Sequence, residues 1–134
     1  MSLSDTPAHR LIVSRSSPKC EGRFLTALAA RSLGGELPVI ESLSTLDGGL
    51  GVRIRKQNEE VIVLLWEAAN EPTAVEGVAT DARIAVVRRS GGVVMGAAML
   101  EGTQLAVDAE DLLFADTPAM VGGVRLDGTW RMLP

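Results

Sequence analysis

Arginine is the residue type whose spacing most clearly suggests a binding chemistry in this sequence. Arg53 and Arg55 alternate along one predicted strand, and Arg83 and Arg88 lie on another. Because a guanidinium group binds carboxylates and sulfates through paired hydrogen bonds, four of them side by side on one sheet would suit an anionic glycan. The alternative is that glutamates neutralise these arginines across the hairpin. Those glutamates are Glu59, Glu60 and Glu67.

The aromatic residues offer one further candidate for contact with a sugar. The chain has two Trp, two Phe and no Tyr. Trp66 ends a strongly apolar strand and is predicted to be buried, whereas Trp130 lies in a polar hairpin. Trp130 is therefore the better candidate for an exposed ring, and a contact between domains is its alternative role. So few rings argue against an autonomous carbohydrate-binding module.

Residues that could support catalysis, a metal or a cofactor are scarce. With Cys20 and His9 as the single Cys and His, an internal disulfide and a Cys-based zinc site are excluded. The acidic residues between 108 and 116 lack the spacing of an EF-hand loop. The glycines between 48 and 51 lack the spacing of a phosphate-binding loop. We therefore expect no catalytic residue, no metal and no cofactor in this chain.

Composition predicts one ordered domain. The chain has 134 residues, of which 46% are hydrophobic and 22% charged. Its net charge of −4 argues against a nucleic-acid partner. No apolar run is long enough for a transmembrane helix, and the first residues lack the pattern of a signal peptide. We expect residues 1–8 to be flexible or vector-derived and residues 9–134 to form a single β-sandwich domain, a fragment of a larger protein.

Short apolar segments separated by Gly and Pro predict an all-β fold. About ten short strands favour an antiparallel β-sandwich, with a barrel or jelly roll as the alternative. The candidate segments, of which 38–44 and 75–80 have the weakest strand pattern, are 9–15, 22–30, 38–44, 51–56, 60–67, 75–80, 81–89, 93–100, 104–107, 111–114, 119–126 and 129–133. Turns are predicted between several of them, including residues 101–103 and 116–118.

Two of these segments carry more detailed predictions. In 51–56, alternation predicts that Val52 and Ile54 point inward and that Arg53 and Arg55 point outward. Residues 22–30 are apolar on both sides of a strand, which predicts a central strand covered twice. The same stretch also fits a helical period, so a short helix stays open as the alternative.

Three pieces of the chain together resemble part of a known enzyme family. The first joins HRLIV at 9–13 to GRFLTAL at 22–28, the second is DARIAVV at 81–87, and the third is MLEGTQL at 99–105. In this order and spacing they resemble the C-terminal β-region of heparinase II/III-like polysaccharide lyases. There, a strand reading RFLT-(V/A)-L precedes a strand beginning Asp-Ala and then a Gly-Thr turn. The resemblance covers about residues 9–126.

The resemblance implies a larger enzyme in which an α-helical toroid precedes β-sheet domains. Such enzymes cleave uronate-containing acidic polysaccharide by β-elimination, with catalytic Tyr and His residues in the toroid and the β-sandwich that follows it. This chain has no Tyr, and nothing around His9 matches a catalytic motif. The resemblance thus implies a non-catalytic accessory domain whose partners are the upstream catalytic domains and acidic polysaccharide. The sequence does not fix the compartment, and for a bacterial parent protein the periplasm and the cytoplasm both stay open.

Three other functions stay open at this point. In the first, the chain is a stand-alone module that binds anionic glycans through the four arginines and Trp130. In the second, it is a protein-interaction or oligomerisation domain that forms a homodimer in isolation. The third is a free-standing small enzyme of cupin-like or other barrel form, and the shortage of His disfavours its metal-dependent version.

Overall fold

The computed structural model describes residues 35–66 and 71–134, which form one antiparallel sheet of nine strands. The strands are β1 (Val39–Ser44), β2 (Leu50–Lys56), β3 (Glu59–Leu65), β4 (Thr73–Val75), β5 (Val78–Thr80), β6 (Ile84–Ser90), β7 (Val93–Val107), β8 (Glu110–Leu126) and β9 (Thr129–Met132). The predicted all-β, antiparallel class is confirmed. The described part of the chain contains no helix, and so no helix long and apolar enough to cross a bilayer.

Several sequence predictions lie outside the described residues. They concern the segment 1–8, the strands 9–15 and 22–30, and the side chains of His9 and Cys20. The glutamate Glu67 also lies outside them.

The long strand β7 organises the sheet. One edge of β7 pairs with β6 through residues 93–100 and then with β5 through residues 105–107. Its other edge pairs with β8, which carries β9 at its end. On the side of β6 the sheet continues through β3 and β2 to β1. Bulges bend β7 and β8, and the sheet curls into a nearly closed, barrel-like form.

Rows of opposed residues place the core on one face of this sheet. Ile62 of β3 opposes Val87 of β6, which opposes Ala97 of β7. Directly opposed residues of antiparallel strands project to the same side, so this row defines an inner face. The buried cluster on and around it comprises Ile62, Leu64, Val78, Ala82, Ala85, Val87, Ala97, Met99, Leu105, Val107, Leu112 and Leu113.

Three predicted boundaries are wrong. The single strand predicted at 75–80 is a hairpin of β4 and β5, because Glu76 and Gly77 both adopt positive φ angles, of 51° and 77°. Two adjacent residues of this kind form the tight turn that suits twisted strands. The turns predicted at residues 101–103 and 116–118 are instead bulges within β7 and β8. Pro118 is tolerated there because a bulge removes regular ladder pairing.

Val52 of β2 is buried as predicted, but the face of this strand that meets the buried cluster is the face of the arginines. Arg53 opposes the core residue Ile62 and therefore lies on the inner face. Val52 and Ile54 project to the opposite side, which we call the outer face. Alternation alone could not decide between the two, because glutamates accommodate the arginines on the inner face and the outer face is itself aliphatic.

Candidate functional site

Arginines and carboxylates form a network at the rim of the inner face. Its members are Glu41, Arg53, Arg55, Glu60, Glu76, Arg89 and Asp108, which we call the arginine–carboxylate network. They come from β1, β2, β3 and β6 and from two turns, so the network spans strands that are distant in sequence. It is the part of the described structure where ionisable groups are most concentrated.

Arg53 occupies one centre of the network. Its Nη2 and Nε atoms donate to Glu41 Oε2 at 2.6 and 2.8 Å, and its Nη1 donates to Glu76 Oε2 at 2.8 Å. Arg55 donates to the other oxygen of Glu41 at 2.9 Å. The hydrogen bond from Arg53 is the main reason that the pKa of Glu41 lies below its ordinary value. The same bond raises the pKa of Arg53, so both groups stay charged.

Arg89 occupies the other centre. Its Nη1 donates to Glu60 Oε2 at 2.9 Å, and its Nη2 lies 3.4 Å from Asp108 Oδ2 and from the carbonyl oxygen of Glu76. The side chain is 13% exposed and that of Glu60 is 19% exposed. Arg89 therefore joins β6 to β3 and to the two turns β4–β5 and β7–β8, and both of its Nη atoms donate within the chain.

The remaining predicted arginines lie elsewhere. Arg83 pairs with Glu101 at 3.1 Å, and both side chains are more than half exposed. Arg88 opposes Val61 and Gly96 on the outer face, and it makes no ion pair with any described residue. Arg53 and Arg88 thus lie on opposite faces of the sheet.

The four arginines consequently do not form one cationic face. Of the glutamates predicted to neutralise them, Glu60 pairs with Arg89 and lies 3.9 Å from Arg53. Glu59 instead accepts a hydrogen bond from Ser90 at 2.8 Å. Sequence reasoning missed Glu41 and Glu76, because they reach the arginines only through the pairing of β1 with β2 and the curling of the sheet.

The two tryptophans are both anchored. Trp66 is 7% exposed, which confirms its predicted burial, and its Nε1 donates to the carbonyl of Glu71 at 2.9 Å. Trp130 is half-buried against the core, and its Nε1 donates to the carbonyl of Leu112 at 2.9 Å. The guanidinium of Arg125 lies 5.8 Å from the ring centroid. Trp130 is thus not the freely exposed ring that its hairpin suggested.

Asp81 forms a second polar centre, which sequence reasoning did not select as a site. Its carboxylate is 5% exposed at the residue level and accepts the backbone N–H groups of Thr103 and Gln104 at 2.8 and 3.0 Å. It also accepts the hydroxyl of Thr103. Burial alone would raise the pKa of Asp81, but these hydrogen bonds outweigh it and hold the pKa below its ordinary value.

Close backbone packing completes this centre. Glu101 has a positive φ of 53°, which starts the bulge of β7. A side chain on Gly102 would place its Cβ 2.4 Å from the Cβ of Ala82, so only glycine fits there. We call Asp81, Ala82, Gly102 and Thr103 the bulge clamp. It joins the Asp-Ala and Gly-Thr motifs, two of the three pieces that carry the family resemblance.

The chemistry open to the described residues is limited by these pairings. Every buried side-chain nitrogen or oxygen within residues 35–66 and 71–134 has a hydrogen-bond partner. The same residues contain no group of three or more His, Cys, Asp or Glu side chains arranged to hold a metal ion. The contacts of both polar centres lie within the fold: one links β2 and β6 to the turn at Glu76, and the other holds the bulge of β7.

Comparison with protein families and with curated proteins finds no relative of this chain. The chain matches no protein-family model, and no curated protein has a significant similarity to it. Its function must therefore be argued from its own geometry and from the sequence motifs.

Proposed function

We propose that this chain is a non-catalytic accessory β-domain of the type that ends heparinase II/III-like polysaccharide lyases. In this role it packs against upstream catalytic domains that cleave uronate-containing polysaccharide by β-elimination. The bulge clamp is the observation that carries the proposal. The motif residues that suggest the family contact one another through Asp81 and Gly102 and serve a structural purpose.

Exposed apolar side chains at β8 and β9 support a packing role. Met120 is 81% exposed, Leu133 is 52% exposed and Leu126 is 50% exposed. Leu133 lies beside Gly122 on β8, so Met120 and Leu133 share a face of the sheet. Apolar groups that are clustered at a surface favour contact with another protein surface.

Two measurements test this proposal. The purified chain, assayed on a panel of uronate polysaccharides beside an active lyase, should generate no unsaturated-uronate absorbance. An antibody against the chain should detect, in the source cells, a protein several times heavier than 14.1 kDa. Eliminase activity of the purified chain, or a native band near 14.1 kDa, would each refute the accessory role.

Binding of anionic glycans is a second candidate, and a different pair of residues favours it. Arg88 opposes Gly96, Gly96 opposes Val124, and Val124 opposes Arg131, so both arginines lie in one row of the outer face. Neither makes an ion pair with a described residue. Gly96 has no side chain, and both arginines are exposed, so both guanidinium groups can approach one anion.

Column retention separates this candidate from the first. Arg88→Gln and Arg131→Gln should each lower the salt concentration that elutes the chain from an anionic glycan column. Arg55→Gln is the matched control, because Arg55 is already engaged by Glu41. No retention of the unmodified chain at low salt, or an equal effect of the control, would exclude glycan binding at this row.

A further inference from the structure

Two hairpins of the sheet end in turns that lie side by side. The turn between β4 and β5 consists of Glu76 and Gly77, and the turn between β7 and β8 consists of Asp108 and Ala109. The amide N–H of Asp108 donates to the carbonyl oxygen of Gly77 at 2.8 Å, directly beyond the last residue pair of β5 and β7. We call these four turn residues the paired tips.

The backbone of the paired tips is in a conformation that costs energy. All four residues have positive φ angles, which are 51° and 77° in the first turn and 52° and 67° in the second. A Cβ disfavours this region, and Glu76 and Ala109 are of types that rarely adopt it. A Cβ on Gly77 would overlap Oδ1 of Asp108, so the two turns are also closely packed. Contacts from the rest of the chain must therefore hold the paired tips in place.

Two arginines from other strands supply such contacts. Arg53 of β2 donates from Nη1 to Glu76 Oε2 at 2.8 Å. Arg89 of β6 bridges both turns, because its Nη2 lies 3.4 Å from the carbonyl oxygen of Glu76 and 3.4 Å from Asp108 Oδ2. Both arginines are also held by carboxylates of β1 and β3, so they stay in place when a turn moves.

Solvent reaches the carboxylate side of these ion pairs. The side chains of Glu76 and Asp108 are 43% and 67% exposed, whereas those of their partners Arg53 and Arg89 are 20% and 13% exposed. Dissolved salt screens ion pairs that have an exposed member, and the screening length falls from about 30 Å at 0.01 M to about 3 Å at 1 M. The contacts that hold the paired tips should therefore weaken as ionic strength rises.

A second pair of turns has the same backbone arrangement without charge. Gln57 and Asn58 form the turn between β2 and β3, and Gly91 and Gly92 form the turn between β6 and β7. The amide N–H of Gly91 donates to the carbonyl oxygen of Asn58 at 2.9 Å, directly beyond the last residue pair of β3 and β6. None of these four residues is charged. Their contact should therefore be insensitive to salt.

We propose that Arg53, Arg89 and the paired tips form an ionic clasp, a conformational device that salt releases. When its ion pairs are screened, the two turns separate and the end of the ladder between β5 and β7 opens. The opening stops there, because Val78 and Leu105 are fully buried beyond this end. This inference goes beyond the proposed function and does not depend on it, because it concerns the conformation of the chain itself.

Amide hydrogen exchange, followed by NMR on the full chain at constant pH, tests the ionic clasp. We expect the protection of the Asp108 amide, corrected for its intrinsic exchange rate, to fall about fivefold between roughly 0.01 and 1 M NaCl. The Gly91 amide is the internal control and should keep its protection. Unchanged protection at Asp108, or an equal fall at Gly91, would overturn the proposal.

A variant that removes one charge gives a second, independent readout. Glu76→Gln should lower the protection of the Asp108 amide at low salt, and the remaining salt dependence should be smaller than in the unmodified chain. Glu101→Gln is the matched control, because Glu101 also has a positive φ, of 53°, and forms an exposed ion pair with Arg83. Equal loss at Asp108 in the two variants would contradict the ionic clasp. An equal loss at Ile62 in the core would show general destabilisation and would contradict it too.

Discussion

Asp81 illustrates how a buried carboxylate can be structural although its residue type suggests catalysis. All of its partners belong to the bulge of β7, twenty-two and twenty-three positions along the chain. The sequence carries both motifs of the bulge clamp, but nothing in their spacing predicts that they meet. Contact depends on the pairing of β6 with β7 and on a positive φ at Glu101. Such features follow from tertiary structure and cannot be obtained from local periodicity.

Replacement of Asp81 by Asn should reduce stability in a pH-dependent manner. At neutral pH the loss of hydrogen bonds to a charged acceptor should cost about 2 kcal/mol in the free energy of unfolding. Because folding lowers the pKa of Asp81 from its ordinary 3.8, the carboxylate stabilises the folded state above that value. Its contribution disappears as pH falls through the lowered pKa, so the two proteins should converge in acid.

Urea denaturation at a series of pH values measures this difference. Asp116→Asn is the matched control, because Asp116 is exposed on β8. A gap between the unmodified chain and Asp81→Asn that widens in acid would show that the carboxylate does not stabilise the bulge.

Replacement of Gly102 by Ala should destabilise the same clamp through steric overlap. The added Cβ would lie 2.4 Å from the Cβ and 2.6 Å from the Cα of Ala82, and the backbone cannot move aside cheaply. Overpacking of this kind costs about 1–3 kcal/mol. Gly96→Ala is the control, since its nearest contact would be an ordinary 3.8 Å. Equal denaturation midpoints for the two variants would argue against tight packing at Gly102.

At the scale of elements, the hairpins were predictable and the long strands were not. The turns at Asn58, Gly91-Gly92 and Asp127-Gly128 lie where turn chemistry places them. The sequence predicted that β7 and β8 are each divided into two shorter strands, because glycine and proline, here Gly102 and Pro118, usually end strands. In this sheet bulges absorb those residues, and the two strands run on. A bulge and a turn use the same residue types, so the sequence alone could not distinguish them.

Arg89 should contribute more to the free energy of unfolding than an arginine in an exposed ion pair does. It joins β6 to β3 through Glu60 and reaches two turns, and its side chain is 13% exposed. Arg89→Met should remove the hydrogen bond to Glu60, leaving that carboxylate only the longer 3.9 Å contact with Arg53, and cost about 2 kcal/mol in the free energy of unfolding. Arg83→Met is the control, because its pair with Glu101 is exposed and should contribute less than about 1 kcal/mol. Equal losses in the two variants would remove the case for a structural network.

At the scale of the whole molecule, composition predicted the fold class but not its closure. Short apolar segments and frequent glycines indicate strands, and the class follows from them. Whether the sheet curls or stacks depends on which distant edges meet, and here Arg53 links β2 to the turn before β5 through Glu76. For the same reason the sequence could not show that Arg53 and Arg88 lie on opposite faces, since one residue of register decides which face an arginine occupies.

Hydrogen exchange should rank the strands by their position in this sheet. The backbone amides of β3 and β6 lie between paired neighbours and beneath the core, so we expect them to exchange most slowly. The strand β1 is an edge among the described strands, and only alternate N–H groups of it face β2. The other N–H groups of β1 have no partner among the described strands, so we expect them to exchange faster than the amides of β3 and β6. Uniformly slow exchange along β1 would contradict its position at an edge of the described sheet.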